Sequence, residues 1–327
     1  MLKKILAILI LPIFILSCGK EEIKKVEKSS FLFGTYISIT VYDKDEKLAN
    51  RAIEKGIAEI KRIDEKYNSK VSGSLLDKLN KGVEKEIILD KEGVYLFENL
   101  KRVYELSHEK YDVTIGPLLD IWDFGAKEER KLPSKDEIEK AKEKVDFSKL
   151  VLDGNRLYFS EDGIEIDTGS FLKGYAVERA KEIMREEGIV SAFISSISSI
   201  ETINLKPDGK PWRIGIENPE NSQELLGIVE LDDRGMGVSG DYQTYIEIDG
   251  KKYHHILDKE TGYPVTDKKM VVVISDNAFF SDMYSTAFFM MPIDEIMEFA
   301  ENNLLEVLIV DDKMNIFRSK GFNLIKK

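Results

Sequence analysis

Between residues 281 and 290 the chain reads SDMYSTAFFM. With Ser281 as the N-cap of a helix, Asp282 and Thr286 stand four apart on one face, with Ser285 beside them. One carboxylate and two hydroxyls are hard oxygen donors that leave room for substrate phosphates, which suits Mg²⁺. A second segment, EIDTGSFLKGYAVERA at 165–180, runs from a strand ending at Asp167 through Gly169 into a helix at Ser170. Free N–H groups at such a helix start attract phosphate, and Lys173, one turn in, adds positive charge. A third, at 244–265, is a hairpin with His254 and His255 adjacent on a strand, so the two face opposite sides and do not form a helical metal pair. His255, close to Asp258, is a candidate general base. A fourth, EKYDVTIGPLLDIWDFG at 109–125, supplies Tyr111, Trp122 and Phe124, aromatic planes that suit a nucleotide or flavin ring. Each segment alone also has a plain reading: Asp282 complements a helix dipole, Lys173 lies on an ordinary helix, His255 is a satisfied structural histidine, and the aromatics are core.

The elements that must position these residues mix both periodicities. Ile37, Ile39 and Val41 alternate with polar Ser38 and Thr40, which predicts a strand over 36–42. Leu48, Ile53, Ile57, Ile60 and Ile63 recur at helical spacing, and Tyr95, Leu96, Leu100, Val103 and Leu106 mark a second helix over 91–108. Short strands are expected at 150–152, 156–160 and 164–166, then a helix over 170–187 stopped by Gly188. Strands follow near 192, at 212–216, at 226–231 and at 245–258, the last broken by a tight Asp249-Gly250 turn. Two helices after Ser281 and Pro292 and strands at 307–310 and 315–318 complete an α+β pattern with no internal boundary.

The N-terminus has a different character. Lys3 and Lys4 precede an apolar run over 5–16 that ends at Ser17 and Cys18. The run is shorter than the roughly 20 residues of a membrane span and has the layout of an export signal. Its ending, ILSCG, resembles the lipobox of bacterial lipoproteins, in which the cysteine is acylated. Residues 1–17 are thus expected to be a signal peptide, Cys18 the lipid attachment point, 18–30 a flexible tether, and 31–327 the folded body on an exported, membrane-anchored protein facing the periplasm or the cell surface. Cys18 is the only cysteine, so an internal disulfide is excluded. A net charge of −12 argues against a nucleic-acid partner.

Taken in order, the motifs resemble those of the ApbE-type FAD:protein FMN transferases: Phe33-Gly34-Thr35, the run from Tyr67 to Asn80, Tyr111 to Pro117, Asp167 to Tyr175, Ser239 to Tyr242, His255 to Gly262, and Asp282 to Thr286. The match spans essentially the whole body. The resemblance implies a single T-fold-related domain of mixed, largely antiparallel sheets with packed helices. It also implies a Mg²⁺-dependent enzyme that splits FAD and attaches FMN to a threonine or serine of another protein, releasing AMP. The family's flavin and adenine contacts fall on Phe33, Tyr67, Lys110, Tyr111, Asp112, Asp167, Lys173 and Ile256. Its metal site falls on Asp282, Ser285 and Thr286 with the carbonyl of Ser170, and His255 takes the position of the base. Relatives act on redox-pump subunits and extracellular flavoprotein reductases.

Three positions depart from the family pattern. Phe33 replaces methionine, and Lys259 replaces the proline after His-x-x-Asp. Where relatives carry N-x-G-G, this chain has Ser195-Ser196-Ile197-Ser198, and side chains at Ile197 and Ser198 are expected to crowd the pyrophosphate. That loop keeps two rivals open: an FAD pyrophosphatase that releases FMN and AMP, and a non-catalytic flavin-binding lipoprotein.

Overall fold

The computed structural model describes residues 22–125 and 131–326. Cys18 and the export signal lie outside the described residues. In chain order the first half comprises β1 (Lys24–Leu32), β2 (Thr35–Asp43), α1 (Glu46–Tyr67), α2 (Leu75–Asn80), β3 (Glu86–Ile88), α3 (Lys91–Leu106), α4 (Gly116–Trp122), α5 (Lys135–Lys142), β4 (Leu150–Asp153), β5 (Arg156–Phe159) and α6 (Leu172–Glu186). The second half comprises β6 (Ala192–Ser195), β7 (Ser199–Ile203), β8 (Trp212–Asn218), β9 (Asn221–Leu231), β10 (Gly235–Gly240), β11 (Tyr245–Ile248), β12 (Lys251–His254), β13 (Lys268–Ser275), α7 (Ala278–Phe289), α8 (Ile293–Asn302), β14 (Glu306–Asp311) and β15 (Ile316–Arg318). The expected α+β class and single domain hold. Among the described residues no helix is long and apolar enough to cross a membrane.

One eight-stranded antiparallel sheet, in the order β1-β2-β6-β7-β10-β13-β14-β15, organises the molecule. Strand alternation sends its side chains to two separate cores. Ile37, Ile39 and Val41 of β2 and Val271 and Val273 of β13 join α1, α6 and α7 on one face. Met270, Val272 and Ile274 of β13 point the other way, under the β8–β9 hairpin with Trp212 and Val229. A third cluster of Leu118, Trp122, Ile138, Tyr253 and Leu257 docks α4, α5 and the β11–β12 hairpin at the end of the first core.

Four expectations are corrected. Residues 24–30 are not tether: β1 pairs with β2 in unbroken register from Lys24 opposite Asp43 to Leu32 opposite Thr35. Ser281 does not start its helix. Asn277 is the N-cap of α7, accepting from Phe280 N–H, and Ser281 lies within the helix, buried and hydrogen-bonded to Ser275. Gly116-Pro117, which the sequence suggests as the end of a helix-to-strand passage, instead begins α4, with proline in the first turn, where its missing N–H costs nothing. The expected strand at 164–166 reduces to a single parallel bridge of Glu165 with Ile115.

Candidate active site

Two helices meet at the site because glycines let them. A Cβ on Gly174 would run into the carbonyl of Ala278 and the Cβ of Asp282, so α6 and α7 touch only with glycine there. On the other side of α7, a Cβ on Gly237 would overlap the backbone of Ser281 and Asp282, so β10 is pressed flat against the helix. Asp282 is thus buried at a three-way junction, 4% exposed, and not at an exposed helix start.

Its carboxylate caps the neighbouring helix. Gly174 N–H donates to Asp282 Oδ2 at 3.0 Å and not to the carbonyl of Ser170 four residues back, which stays outside the helical ladder. Around it the hydroxyls form a chain: Ser239 Oγ lies 2.9 Å from Ser285 Oγ and 3.1 Å from Thr286 Oγ1, and Ser285 Oγ donates to the carbonyl of Asp282 at 2.9 Å. Burial lifts Asp282 to about 6, against the pull of Lys173 and of the Gly174 N–H. One buried carboxylate, hydroxyls and a backbone carbonyl are an all-oxygen donor set with a single protein charge, and this set fits Mg²⁺ shared with substrate phosphates. No cluster of three or more His, Cys, Asp or Glu able to hold a metal occurs among the described residues, so phosphate oxygens would have to complete such a site.

A cavity of about 980 Å³ opens from this junction. Phe33, Lys110, Tyr111, Asp112, Asp167, Ser170, Lys173, His255, Ile256, Asp282 and Thr286 all line it, so motifs far apart in the chain share one cavity. Three residues do not reach it, among them Trp122, which is buried in the cluster of α4 and α5. Tyr67 projects from the last turn of α1 into the core, and its hydroxyl donates to Asp90 at 3.1 Å. Its successors Asn68, Ser69 and Lys70 line the wall in its place. Ser285 is fully buried behind Thr286. Phe33 reaches the wall because it forms, with Gly34, a two-residue β1–β2 turn in which both residues have positive φ. Tyr111 OH and Ser170 Oγ lie 2.9 Å apart, Asp167 accepts from Gly169 N–H at 2.8 Å, and Lys70 stands 3.2 Å from its other oxygen.

The adjacent histidines hold opposite tautomers. His254 Nδ1 accepts from Ile256 N–H at 3.2 Å, so its Nε2–H donates to the carbonyl of Val265, and the ring is buried against Phe289. His255 Nδ1 lies 3.1 Å from the carbonyl of Thr244, which can only accept, so the proton is on Nδ1 and Nε2 carries a free lone pair. Burial pushes His255 down to about 4. The Thr244 carbonyl and Asp167 oppose this, while His254 and Lys173 add to it, so the imidazole is neutral at pH 7. Asp258 does not partner it: that carboxylate accepts from Glu260 N–H in its own turn.

Of the two side chains expected to crowd the pyrophosphate, Ile197 is clear of the cavity and Ser198 lies in its wall. Ile197 adopts φ 66°, the left-handed conformation that glycine would supply, and turns its side chain outward, 67% exposed. Only Ser198 of this turn lines the cavity. Several lining residues had no role in the sequence reading. Ser239 belongs to the quoted SGDY motif and bridges the two hydroxyls of α7. Thr244 acts through its backbone, for which side-chain type carries no signal. Glu165 and Asp120 face each other in the wall, where burial and then Asp120 push Glu165 up to about 7.

The chain is similar to known proteins over most of its length. The ApbE family model matches residues 33–309. An FAD:protein FMN transferase of Haemophilus influenzae is 27% identical over 326 residues, covering 95% of this chain and 94% of its own. Among solved structures, the ApbE protein of Thermotoga maritima superposes with a TM-score of 0.84 at 30% identity, over 91% of this chain and 97% of its own. The apo form of the flavinyl transferase ApbE of Pseudomonas stutzeri gives 0.78 at 26% identity, over 91% and 96%.

Proposed function

The chain belongs to the ApbE family, and on that footing we propose that it is an FAD:protein FMN transferase, moving FMN from FAD to a threonine or serine hydroxyl of an acceptor flavoprotein. The observation that carries this reading is the free Nε2 of a neutral His255 in the same cavity as Lys173 and Asp282. A diphosphate seated at the start of α6 meets the Lys173 ammonium and the positive end of the helix dipole. The acceptor oxygen attacks the flavin-side phosphorus, and its proton passes to His255 Nε2. The bond from that phosphorus to the bridging oxygen breaks, and AMP leaves with that oxygen. A threonine hydroxyl is a poor nucleophile at neutral pH, so removing its proton during attack contributes roughly a hundredfold or more.

Asp282, Thr286 and the carbonyl of Ser170 would hold Mg²⁺, with Ser285 and Ser239 orienting them from behind. Bound there, the ion would neutralise charge on the phosphates. Most of the remaining catalysis is positioning and electrostatics. The acceptors are redox-pump subunits or extracellular reductases, met outside the membrane by a protein acylated at Cys18. Cys18→Ser should leave the protein unlipidated, and finding the variant still in the detergent phase would defeat that assignment.

The deciding experiment incubates purified protein with FAD, Mg²⁺ and a threonine-bearing acceptor. The expected result is an acceptor heavier by one FMN phosphodiester and one AMP per label. Free FMN and AMP with an unlabelled acceptor would replace the transferase with a pyrophosphatase.

A further inference from the structure

Asp112 stands in the cavity wall with no acceptor capacity left for a ligand. Its Oδ1 accepts from Thr114 N–H at 2.9 Å and Thr114 Oγ1 at 2.6 Å. Its Oδ2 accepts from Phe147 N–H at 3.1 Å and from Lys259 Nζ at 3.0 Å. Four donors fill the roughly four lone-pair sites of a carboxylate. The side chain is 1% exposed, and that of Lys259 14%. The same ammonium sits 5.0 Å above the centre of the Tyr104 ring, which stacks on Phe147. Lys259 therefore ties the loop after β12, which carries His255 and Ile256, to the 111–114 run and to α3.

The rest of that loop is held differently. Gly262 N–H and Asp258 N–H bond within the loop, and Trp122 Nε1 donates to the carbonyl of Gly262 at 2.8 Å, which fixes it to α4. Neither contact compensates the charge of Asp112. The family pattern has an uncharged proline at 259, so this cation is a feature of this chain.

We propose that Lys259 is a positioning residue for the transfer reaction: its ion pair with Asp112 holds the His255 loop against the cavity wall and cancels a carboxylate charge that would repel the incoming diphosphate. The proposal rests on the FAD reading above. Breaking a buried pair by removing one partner leaves an uncompensated charge, whereas removing both does not. Single and double substitutions should therefore part company.

The test compares wild type, Lys259→Arg, Lys259→Met and Asp112→Asn/Lys259→Met by FAD titration and steady-state FMN transfer. Lys259→Met should raise both Kd and KM for FAD by about tenfold or more, with a smaller fall in kcat. Lys259→Arg should stay within about threefold of wild type in FAD affinity, and the double variant should recover a large part of the affinity lost in Lys259→Met, a pattern that loss of packing alone would not produce. Unchanged FAD affinity in Lys259→Met, or a double variant as weak as the single, would overturn the proposal. If Lys259→Met does not fold, the double variant decides: affinity near wild type supports the pairing, and a tenfold loss overturns it. Thermal unfolding of the same variants with Asp112→Asn completes a double-mutant cycle that needs no ligand, and absence of coupling there would also overturn the proposal. A wild type that binds no FAD would count against the flavin reading, while this cycle still judges the brace.

Discussion

Ile197 holds φ 66° at the tip of the β6–β7 turn, a conformation that sets its Cβ against the following carbonyl at a cost of about 1–2 kcal/mol. Alanine at this position keeps a Cβ and most of that cost. Glycine removes it, but gains about 0.5–1 kcal/mol of freedom in the unfolded chain. Both substitutions discard the same largely exposed side chain, so that loss cancels in the comparison. Ile197→Gly should therefore be more stable than Ile197→Ala by roughly 0.5–1 kcal/mol, the reverse of their usual order in a helix or strand. At about 2–4 °C per kcal/mol the melting temperatures should differ by about 1–4 °C. Thermal and urea unfolding of the two variants side by side gives the sign directly. An alanine variant melting at or above the glycine variant would refute the strained turn. FAD affinity should be the same in both and in wild type, because the Ile197 side chain points away from the cavity, and tighter binding in the glycine variant would show that it crowds the pyrophosphate after all.

His255→Ala should bind FAD normally yet lose FMN transfer by about a hundredfold or more, whereas His254→Ala should lower the melting temperature by unpairing Ile256 N–H and Val265 but keep transfer; equal losses of transfer would argue against the base. Because His255 is neutral above about pH 4, the base stays competent down to about pH 5; a fall in transfer between pH 7 and 5 should come from Asp282, lifted to about 6, and should move to lower pH with excess Mg²⁺, whereas the drop through 4 should not move. Asp282→Asn should abolish Mg²⁺ dependence while keeping an acceptor for Gly174 N–H, and Asp282→Ala should also be less stable by about 1–3 kcal/mol, since that buried N–H loses its partner; unchanged Mg²⁺ dependence would remove the metal assignment. Burial, helped by Glu201 and Glu182, raises Glu178 to about 8, so the folded state keeps a proton that the unfolded chain gives up above about 4.5. Stability from this group is complete below pH 4.5 and lost as pH rises through 8. Glu178→Gln should accordingly melt like wild type near pH 4 and above it near pH 9, and identical melting at both values would contradict the buried proton.

Legibility in the sequence followed how one-sided each element is. Ile37, Ile39 and Val41 alternate because one face of β2 meets α1, and α1 repeats its isoleucines because only one stripe is buried, so both elements were readable. The strand β1, KKVEKSSFL, carries no such signal. It is an edge strand whose outer side faces water, and lysines of the kind that discourage edge pairing make it look like a linker. The helix α7 fails in the opposite way: AFFSDMYSTAFF is buried nearly all round, so no periodicity marks its start, and Ser281 resembled a cap. Within the site, charged and hydroxyl side chains could be placed by motif. Tyr67 could not, because membership of a motif does not say which way a side chain points at the end of a helix. The serine loop misled for a related reason. Glycine suggested a need for positive φ and for space, and the backbone shows that the turn kept the first while Ile197 avoided the second by facing outward.

The full pairing of β1 limits where an anchored enzyme can work. Were Cys18 the lipid attachment point proposed above, residues 19–23 would span at most about 18 Å before Lys24 is locked into the sheet. Nine strand residues then cover about 30 Å to the turn where Phe33 meets the cavity. Such a leash would be short, with a stiff second part, and would keep the reaction centre within about 50 Å of the lipid surface. Acceptors held in the same membrane would meet it at high effective concentration, and a freely diffusing acceptor would not. Lengthening the leash would therefore widen the choice of acceptors while slowing modification of those next to the membrane.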